Sequence, residues 1–398
     1  LIMEIKLDMM QTTAMAVVIY YFGAWLKTKW SVLEKFCIPA PVVGGLIFAI
    51  LNLVLKEMGI LQFTLDTTLQ KPFMMVFFTS IGFTASIELV KKGGLQVIIF
   101  WICASVLCIL QDGLGVILSK ALNVNPLLGL ICGSVTMTGG HGTGAAFAPV
   151  FEKMGLQGAM TAAMAAATYG LVFGSLIGGP LGKRLIEKKN LKPHPELYTS
   201  AEETEATKHE LINYEEIFKS LALLLIAIGV GAVLEGFFKN LGITLPSYVN
   251  SMIIAAIILN VGESTGKWHI NQKCTEILGT IGLNVFLSMA LISLQLWQLA
   301  ALAGPMLVIL ASQTVLMWIF ALYVTFNVVG RDFDAAVIAA GHCGFGMGAT
   351  PNAMANMRSV VEKFGPAPRA FFVLPIVGAF LIDFTNAIII TTFANIFH

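Results

Sequence analysis

The chain consists of long apolar segments separated by short polar connections, and ten of these segments have the length of a membrane-spanning helix. A bilayer is crossed by about 20 predominantly apolar residues. The ten segments are 9–26, 37–55, 72–89, 95–119, 156–181, 216–238, 246–262, 276–296, 304–327 and 370–396. Over the 398 residues, 57% are hydrophobic and 12% are charged, whereas soluble domains carry about 25% charged residues. The pattern predicts an all-α polytopic membrane protein and excludes a soluble globular enzyme.

Two further apolar segments, 126–149 and 334–356, are rich in glycine, threonine and serine. Such helix-breaking sequence is tolerated at membrane depth only where the backbone lines a cavity or packs on protein. We therefore predict that each segment is a re-entrant hairpin that enters the bilayer and returns to the same side.

Charged residues are concentrated between the fifth and sixth apolar segments. Residues 183–219 carry 15 of the 47 charged side chains, which is typical of a solvated linker. We predict a polar cytoplasmic linker over 183–215. The formal net charge of the chain is only +1, so no basic excess is present for binding nucleic acid.

The two halves of the chain resemble each other. Residues 37–42 align with 244–249, and residues 142–148 align with Ala349 to Ala355 at the same offset. The sequence therefore predicts an N-terminal repeat over 1–182 and a C-terminal repeat over 216–398. Each repeat has five spans and one hairpin, and an odd number of crossings makes the second repeat inverted.

The distribution of Lys and Arg predicts the orientation. With the N-terminus outside, 18 of these residues fall on the inner side and 6 on the outer side, in agreement with the positive-inside rule. We therefore predict that both termini lie outside, that hairpin 126–149 enters from outside and that hairpin 334–356 enters from inside.

Inverted repeats with opposed broken helices are typical of secondary transporters, whose substrate and ion sites lie near the bilayer midplane. Backbone N–H groups at a helix start bind carboxylates, and free carbonyl and hydroxyl groups suit Na⁺. Close helix packing is the alternative role for the glycines. The predicted substrate-binding residues are Thr138, Gly139, Gly140, His141, Gly142, Thr143, Gly348, Thr350, Asn352 and Asn356.

Ionisable residues at membrane depth are costly and therefore indicate function. Asp383 lies in the middle of the last span, and we expect it to coordinate a cation or to pair with a substrate ammonium group. A structural acid is the alternative. The predicted Na⁺ ligands are Asp383, Asn386, Ser134 and Thr385.

Three other polar residues have open roles. Asp112, beside Gln111, is equally consistent with interhelical hydrogen bonding and with function. His141 and His342 flank the two glycine-rich segments, where they could contact substrate, carry a proton or fix the loop. The six cysteines are scattered without a CxxC pair, and we expect them to be small buried residues.

Several motifs closely resemble the bacterial sodium/glutamate symporter family. They occupy residues 38–46, 139–146, 340–346, 348–351 and 375–383, so the resemblance covers essentially the whole chain. It implies Na⁺-driven uptake of L-glutamate across the inner membrane, with Na⁺ as coupling ion and no other cofactor. It also implies a homodimer and an elevator movement against a scaffold formed by the first two spans of each repeat.

The sequence has three alternative interpretations besides glutamate symport. The first is a cation-coupled di- or tricarboxylate carrier of the same architecture. The second is an intramembrane enzyme using His141, His342 and Asp383, but these residues lack nucleophile–base spacing. The third is a passive channel, which would show no saturable, gradient-dependent uptake. We expect a transporter and not an enzyme.

Overall fold

The fold is described from a computed structural model over residues 3–35, 38–193, 212–240, 247–298 and 302–397. The chain is almost entirely helical. The N-terminal helices are α1 (Met9–Lys29), α2 (Ser31–Lys35), α3 (Ala40–Glu57), α4 (Gln70–Gly82), α5 (Ile87–Ala121), α6 (Pro126–Leu130), α7 (Gly140–Lys153) and α8 (Ala159–Lys189). The C-terminal helices are α9 (Tyr214–Asn240), α10 (Ser247–Thr265), α11 (Gln272–Ile292), α12 (Ala303–Phe320), α13 (Phe326–Val329), α14 (Phe333–Phe345), α15 (Thr350–Phe364), α16 (Pro368–Ile376) and α17 (Ile382–Phe397).

Seven helical segments within the described residues are long and apolar enough to cross a membrane, so the protein is a multi-pass membrane protein. They are Met9–Lys29, Ala40–Glu57, Gly94–Ala121, Ala159–Lys189, Tyr214–Phe238, Gln272–Ile292 and Ala303–Val329. The other three predicted spans are also helical, but they are shorter, less apolar or interrupted. Segment 72–89 gives the 13-residue α4, 246–262 gives α10, and 370–396 is divided between α16 and α17 by a π-helical turn, Val377–Leu381.

Two strands were not predicted. Met3–Leu7 (β1) pairs in parallel with Leu61–Leu65 (β2), with Met3 opposite Leu61 and Leu7 opposite Leu65. The strands hold the start of α1 beside the connection from α3 to α4. Asp8 ends β1 and caps α1, since its carboxylate accepts hydrogen bonds from the N–H groups of Met10 and Gln11, both at 2.8 Å.

The first residues of the predicted linker 183–215 are helical. Helix α8 continues to Lys189, and Lys183 lies 3.9 Å from Glu187 one turn further along it. Charged residues on an exposed helix end are as well hydrated as in a loop, so composition alone did not distinguish the two. Residues 194–211 lie outside the described part of the chain.

Both predicted hairpin segments contain broken helices. The first consists of α6, a π-helical turn (Ile131–Val135), a break, and α7; the second consists of α14, a break at 346–349, and α15. In the second, α14 packs directly along α15. Both C-terminal arms run beyond the predicted ends at 149 and 356, to Lys153 and Phe364.

The helices form two packed groups. The first group contains α1, α3, α4, α9, α10 and α11, which correspond to the first three predicted spans of each half. The two-span scaffold that the resemblance implied stays a prediction. The second group contains α5 to α8 and α12 to α17 and includes both broken helices. Glycines allow close approach within the first group: a β-carbon at Gly82 would lie 2.5 Å from the carbonyl oxygen of Met252.

Candidate functional site

The two helix breaks meet inside the second group. Gly140 begins α7 with φ 62°, a left-handed conformation that favours glycine. A β-carbon at this position would lie 2.7 Å from the carbonyl oxygen of Gly348 in the other break. Gly170 of α8 lies against the carbonyl oxygen of Met347, the residue before Gly348 in the second break. The two breaks are therefore in contact.

Gln111 of α5 connects the two breaks. Its side-chain nitrogen donates to the carbonyl oxygen of Gly346 at 2.7 Å, and its side-chain oxygen accepts from the hydroxyl of Thr138 at 2.8 Å. The amide of Gln313 in α12 donates to the backbone oxygen of Gln111 at 2.7 Å. Both glutamines are fully buried, so this network links the two breaks within the protein interior.

Helix α7 begins with unused backbone donors. The N–H groups of Gly139 and Gly140 donate to the carbonyl oxygens of Ser134 and Thr136. Among the described hydrogen bonds, the N–H groups of His141 and Gly142 have no acceptor. A helix start with free N–H groups carries a partial positive charge and favours an anion. The break can therefore hold a carboxylate.

Asp112 is completely buried one residue after Gln111. Its carboxylate accepts hydrogen bonds from the backbone N–H of Ser134 at 2.8 Å and from the hydroxyl of Ser134 at 2.9 Å. The side-chain nitrogen of Asn386 in α17 donates to the carbonyl oxygen of Ser134 at 3.1 Å. Sequence reasoning placed Asn386 and Ser134 together but not with Asp112.

Asp383, the predicted ion ligand, lies half-buried in the first turn of α17. Within the described part of the chain, neither it nor Asp112 has a Lys or Arg partner. Asp383 lies one turn before Asn386 in α17, and Asn386 contacts the same Ser134 that Asp112 contacts. The site therefore contains two carboxylates without a basic counter-ion.

Thr385 contacts helix α5 and not the Ser134–Asn386 pair of predicted Na⁺ ligands. Its hydroxyl oxygen accepts from Ser105 at 3.1 Å and from the indole nitrogen of Trp101 at 3.3 Å, both on α5. The structure thus brings Ser134 and Asn386 together and places Thr385 in the contact between α17 and α5. Their coordinating roles stay predictions.

The predicted substrate residues on α15 make helix-packing contacts. The amide of Asn352 donates to the carbonyl oxygen of Leu171 and to the hydroxyl of Ser175, both at 2.8 Å. The amide of Asn356 donates to the carbonyl oxygen of Gly174 at 2.9 Å. Only the side-chain oxygen of Asn352 is buried without a partner, so it is the atom of this pair that a ligand could use.

Thr350 and the first break complete the predicted substrate set. The hydroxyl of Thr350 donates to the carbonyl oxygen of Gly378 in the last π-helical turn, at 2.8 Å. Thr143 lies one turn into α7 against Gly139, and a β-carbon at Gly142 would lie 3.1 Å from the ring of Phe77. Gly142 therefore faces α4, a helix of the first group.

Both histidines hydrogen-bond to threonine. A ring nitrogen of His141 lies 3.1 Å from the hydroxyl of Thr168, and a ring nitrogen of His342 lies 2.9 Å from that of Thr325. The rings of Phe100 and Phe345 lie 5.1 and 4.8 Å from the His342 ring. These contacts agree with residues that fix the local structure.

Tyr248 of α10 was not singled out in the sequence. Its ring stacks on Phe78 with centroids 4.2 Å apart and meets Phe147 of α7 edge-on at 6.1 Å. Its hydroxyl is buried without a partner among the described residues. The tyrosine lies where the two helix groups meet, a position that only the tertiary structure reveals.

The five described cysteines are buried and form no disulfide among themselves, as expected for small apolar residues. Cys37 lies outside the described residues.

Comparison with known proteins decides the family. The family model of the sodium/glutamate symporter matches residues 5–366. The chain belongs to the sodium/glutamate symporter family. As a symporter family it consists of transporters and not enzymes.

Curated members of this family match along nearly the whole chain. The sodium/glutamate symporter of Haemophilus influenzae is 39% identical over 382 residues, covering 95% of each sequence. That of Escherichia coli is 39% identical over 389 residues, covering 96% of each.

A solved sodium proton antiporter from Methanocaldococcus jannaschii covers 98% of each chain at 14% identity with a TM-score of 0.44. These values indicate only a distant likeness.

Proposed function

We propose that this sodium/glutamate symporter carries L-glutamate into the cell together with Na⁺, by alternating access in the inner membrane. The observation that supports this most directly is the contact between the two helix breaks at Gly140 and Gly348, bridged by Gln111. Unpaired backbone donors at the start of α7 and the buried Asp112 carboxylate both belong to the first of these breaks. An acidic amino acid and a cation need these two kinds of group.

The substrate carboxylates bind at the breaks. The free N–H groups of His141 and Gly142 neutralise one of them, and the partial charge at the start of α7 adds to this. The hydroxyls of Thr138, Thr143 and Thr350 and the free oxygen of Asn352 supply the remaining polar contacts. Asn356 supports the site by holding α15 to α8.

Na⁺ binds at Asp383. This carboxylate has no basic partner among the described residues, and an unpaired charge in a low-dielectric region is costly. A bound cation removes that cost, and it also reduces the repulsion between Asp383 and an anionic substrate. Substrate affinity therefore depends on the cation, which is the basis of coupling.

The proposed transport movement is of the elevator type, in a homodimer of inverted repeats with both termini outside. It is supported by the division of the helices into two packed groups, of which only one contains the broken helices. Movement of the second group past the first would carry the breaks across the bilayer while the network around Gln111 stays intact.

Binding of labelled L-glutamate to the purified protein tests this function. We expect saturable binding in Na⁺ and none in choline, because the cation neutralises Asp383. Unlabelled citrate and malate should not compete; competition by either would instead indicate the di- or tricarboxylate carrier.

The variant Asp383→Asn tests the role of the carboxylate. We expect it to abolish Na⁺-dependent glutamate binding, whereas Asp334→Asn, at a buried aspartate in the first turn of α14, should leave it unchanged. An unaltered Na⁺ dependence in Asp383→Asn would refute the coordinating role.

A further inference from the structure

We propose that Asp112, Ser134 and Asn386 form a second Na⁺ site, separate from Asp383, so that two cations bind per chain. The proposal rests on the proposed function and specifies the ion part of the same site. It concerns a buried aspartate whose role the sequence left open, and it accounts for the buried side-chain oxygen of Asn386, which has no partner.

The three residues come from three parts of the chain and converge at one break. Ser134 lies in the π-helical turn beside Gly133, where the backbone departs from helical geometry with φ −94° and ψ −140°. The carboxylate of Asp112 in α5 accepts hydrogen bonds from the backbone N–H and the hydroxyl of Ser134. The side-chain nitrogen of Asn386 in α17 donates to the carbonyl oxygen of Ser134. The break therefore has an anionic side chain on one side and an amide on the other.

The side chains of Asn386 and Asp112 have oxygen atoms with unused lone pairs. The side-chain oxygen of Asn386 is buried and has no hydrogen-bond partner, and the residue is 1% exposed. Each oxygen of Asp112 accepts one described bond and can accept a second interaction. A buried amide oxygen without a partner is unfavourable, and a cation satisfies it.

The ligand chemistry favours a monovalent ion. The donors are one carboxylate, one hydroxyl and one amide oxygen, which are hard oxygen ligands and not the sulfur or imidazole groups that transition metals select. No group of three His, Cys, Asp or Glu side chains that could hold a metal occurs in the described residues. A single negative charge matches Na⁺ better than Ca²⁺, which is usually bound by several carboxylates.

Charge balance argues for two ions. Neither Asp112 nor Asp383 has a Lys or Arg partner in the described part of the chain. A single Na⁺ at Asp383 would leave the completely buried Asp112 charge uncompensated, at a large desolvation cost. A second Na⁺ at Asp112 leaves both carboxylates compensated before the anionic substrate arrives.

The experiment counts Na⁺ bound to the purified full-length protein by equilibrium dialysis with ²²Na⁺ in the absence of glutamate. We expect two ions per chain for the native protein and one for Asp112→Asn. Asp334→Asn is the matched control, because Asp334 is also buried and also accepts a backbone N–H, that of Ala370 at 3.1 Å. It should retain two ions.

Ser134→Ala keeps the test valid if Asp112→Asn does not fold. It removes one neutral ligand and one hydrogen bond, so we expect two ions with the affinity of one reduced about tenfold. Two ions of unchanged affinity in both variants would overturn the proposal. One ion in the native protein would also overturn it. A third contradicting result is an Asp112→Asn variant that retains both ions but loses the pH dependence of glutamate binding, because Asp112 would then be a proton carrier.

These outcomes are separate from failure of the proposed function. A native protein that binds two Na⁺ but neither binds nor takes up glutamate would refute glutamate symport and leave the second site intact. A native protein that couples glutamate uptake to a single Na⁺ would refute the second site alone.

Discussion

Gln111 and Asp112 are adjacent in α5, and together they contact both helix breaks and the buried end of α17. Gln111 joins Thr138 to Gly346, and Asp112 joins Ser134 to α5. One turn of α5 therefore links the proposed substrate region to the proposed ion region. Displacement of either side chain should affect both ligands.

Replacement of Gln111 by leucine tests this link. The change leaves the buried Thr138 hydroxyl and the buried Gly346 carbonyl oxygen without their bonds, at a cost of about 1–3 kcal/mol for each group. We expect a lower melting temperature and glutamate affinity reduced about tenfold. The measurements are thermal unfolding and binding of labelled glutamate.

Gln96→Leu is the control for this variant. Gln96 lies on the same helix, and its side-chain oxygen has no partner, so the same substitution should preserve binding. Equal affinity in Gln111→Leu and the native protein would show that the bridge is only structural.

At the scale of the helices, the breaks in the two predicted hairpins determine where the proposed site lies. Their existence was predictable, because a dense cluster of glycines lowers the stability of a helix. Their contact at Gly140 and Gly348 was not predictable from spacing, since it depends on how α7 and α15 pack on α8. The Asp112–Ser134 bond was missed for the same reason, because it joins residues 22 positions apart.

The contact between the breaks can be tested with two glycines of similar backbone conformation. Gly140 has φ 62° and lies against Gly348, whereas Gly155 has φ 97° and no neighbouring atom within 4 Å of the place where a β-carbon would lie. Alanine at either position strains the backbone by about 1–2 kcal/mol, but only Gly140→Ala also displaces the other break.

We expect Gly140→Ala to reduce glutamate uptake about tenfold or more, because overpacking of this kind costs about 1–3 kcal/mol. Gly155→Ala should retain nearly native uptake in the same proteoliposome assay. Similar losses in both variants would assign the effect to backbone strain and remove the evidence for a functional contact.

Across the chain as a whole, low charge and ten apolar segments identified a multi-pass membrane protein, and seven helical segments of the described residues satisfy both length and hydropathy. The parallel pair β1–β2 was not predicted because each strand has only five residues, too few for a clear alternating pattern. The helical start of the linker, to Lys189 in α8, was not predicted because charged residues occur equally on helix ends and in loops.

The orientation of the chain in the membrane is a further prediction. Lys153 and Lys363 lie at the ends of the second arms of the two broken helices, and the inverted arrangement places them on opposite sides of the membrane. In a cysteine-free background, a membrane-impermeant maleimide should label Lys153→Cys in intact cells and Lys363→Cys only after permeabilisation. Labelling of both from the outside would contradict the inverted repeat.

Coupling requires that a Na⁺ gradient drive the accumulation of glutamate. Proteoliposomes containing the native protein are loaded with the same concentration of labelled L-glutamate as the external medium, and an inward Na⁺ gradient is applied. We predict net accumulation inside, which disappears when choline replaces Na⁺ or when an ionophore dissipates the gradient. Equal net movement of glutamate in Na⁺ and in choline would contradict Na⁺-coupled symport.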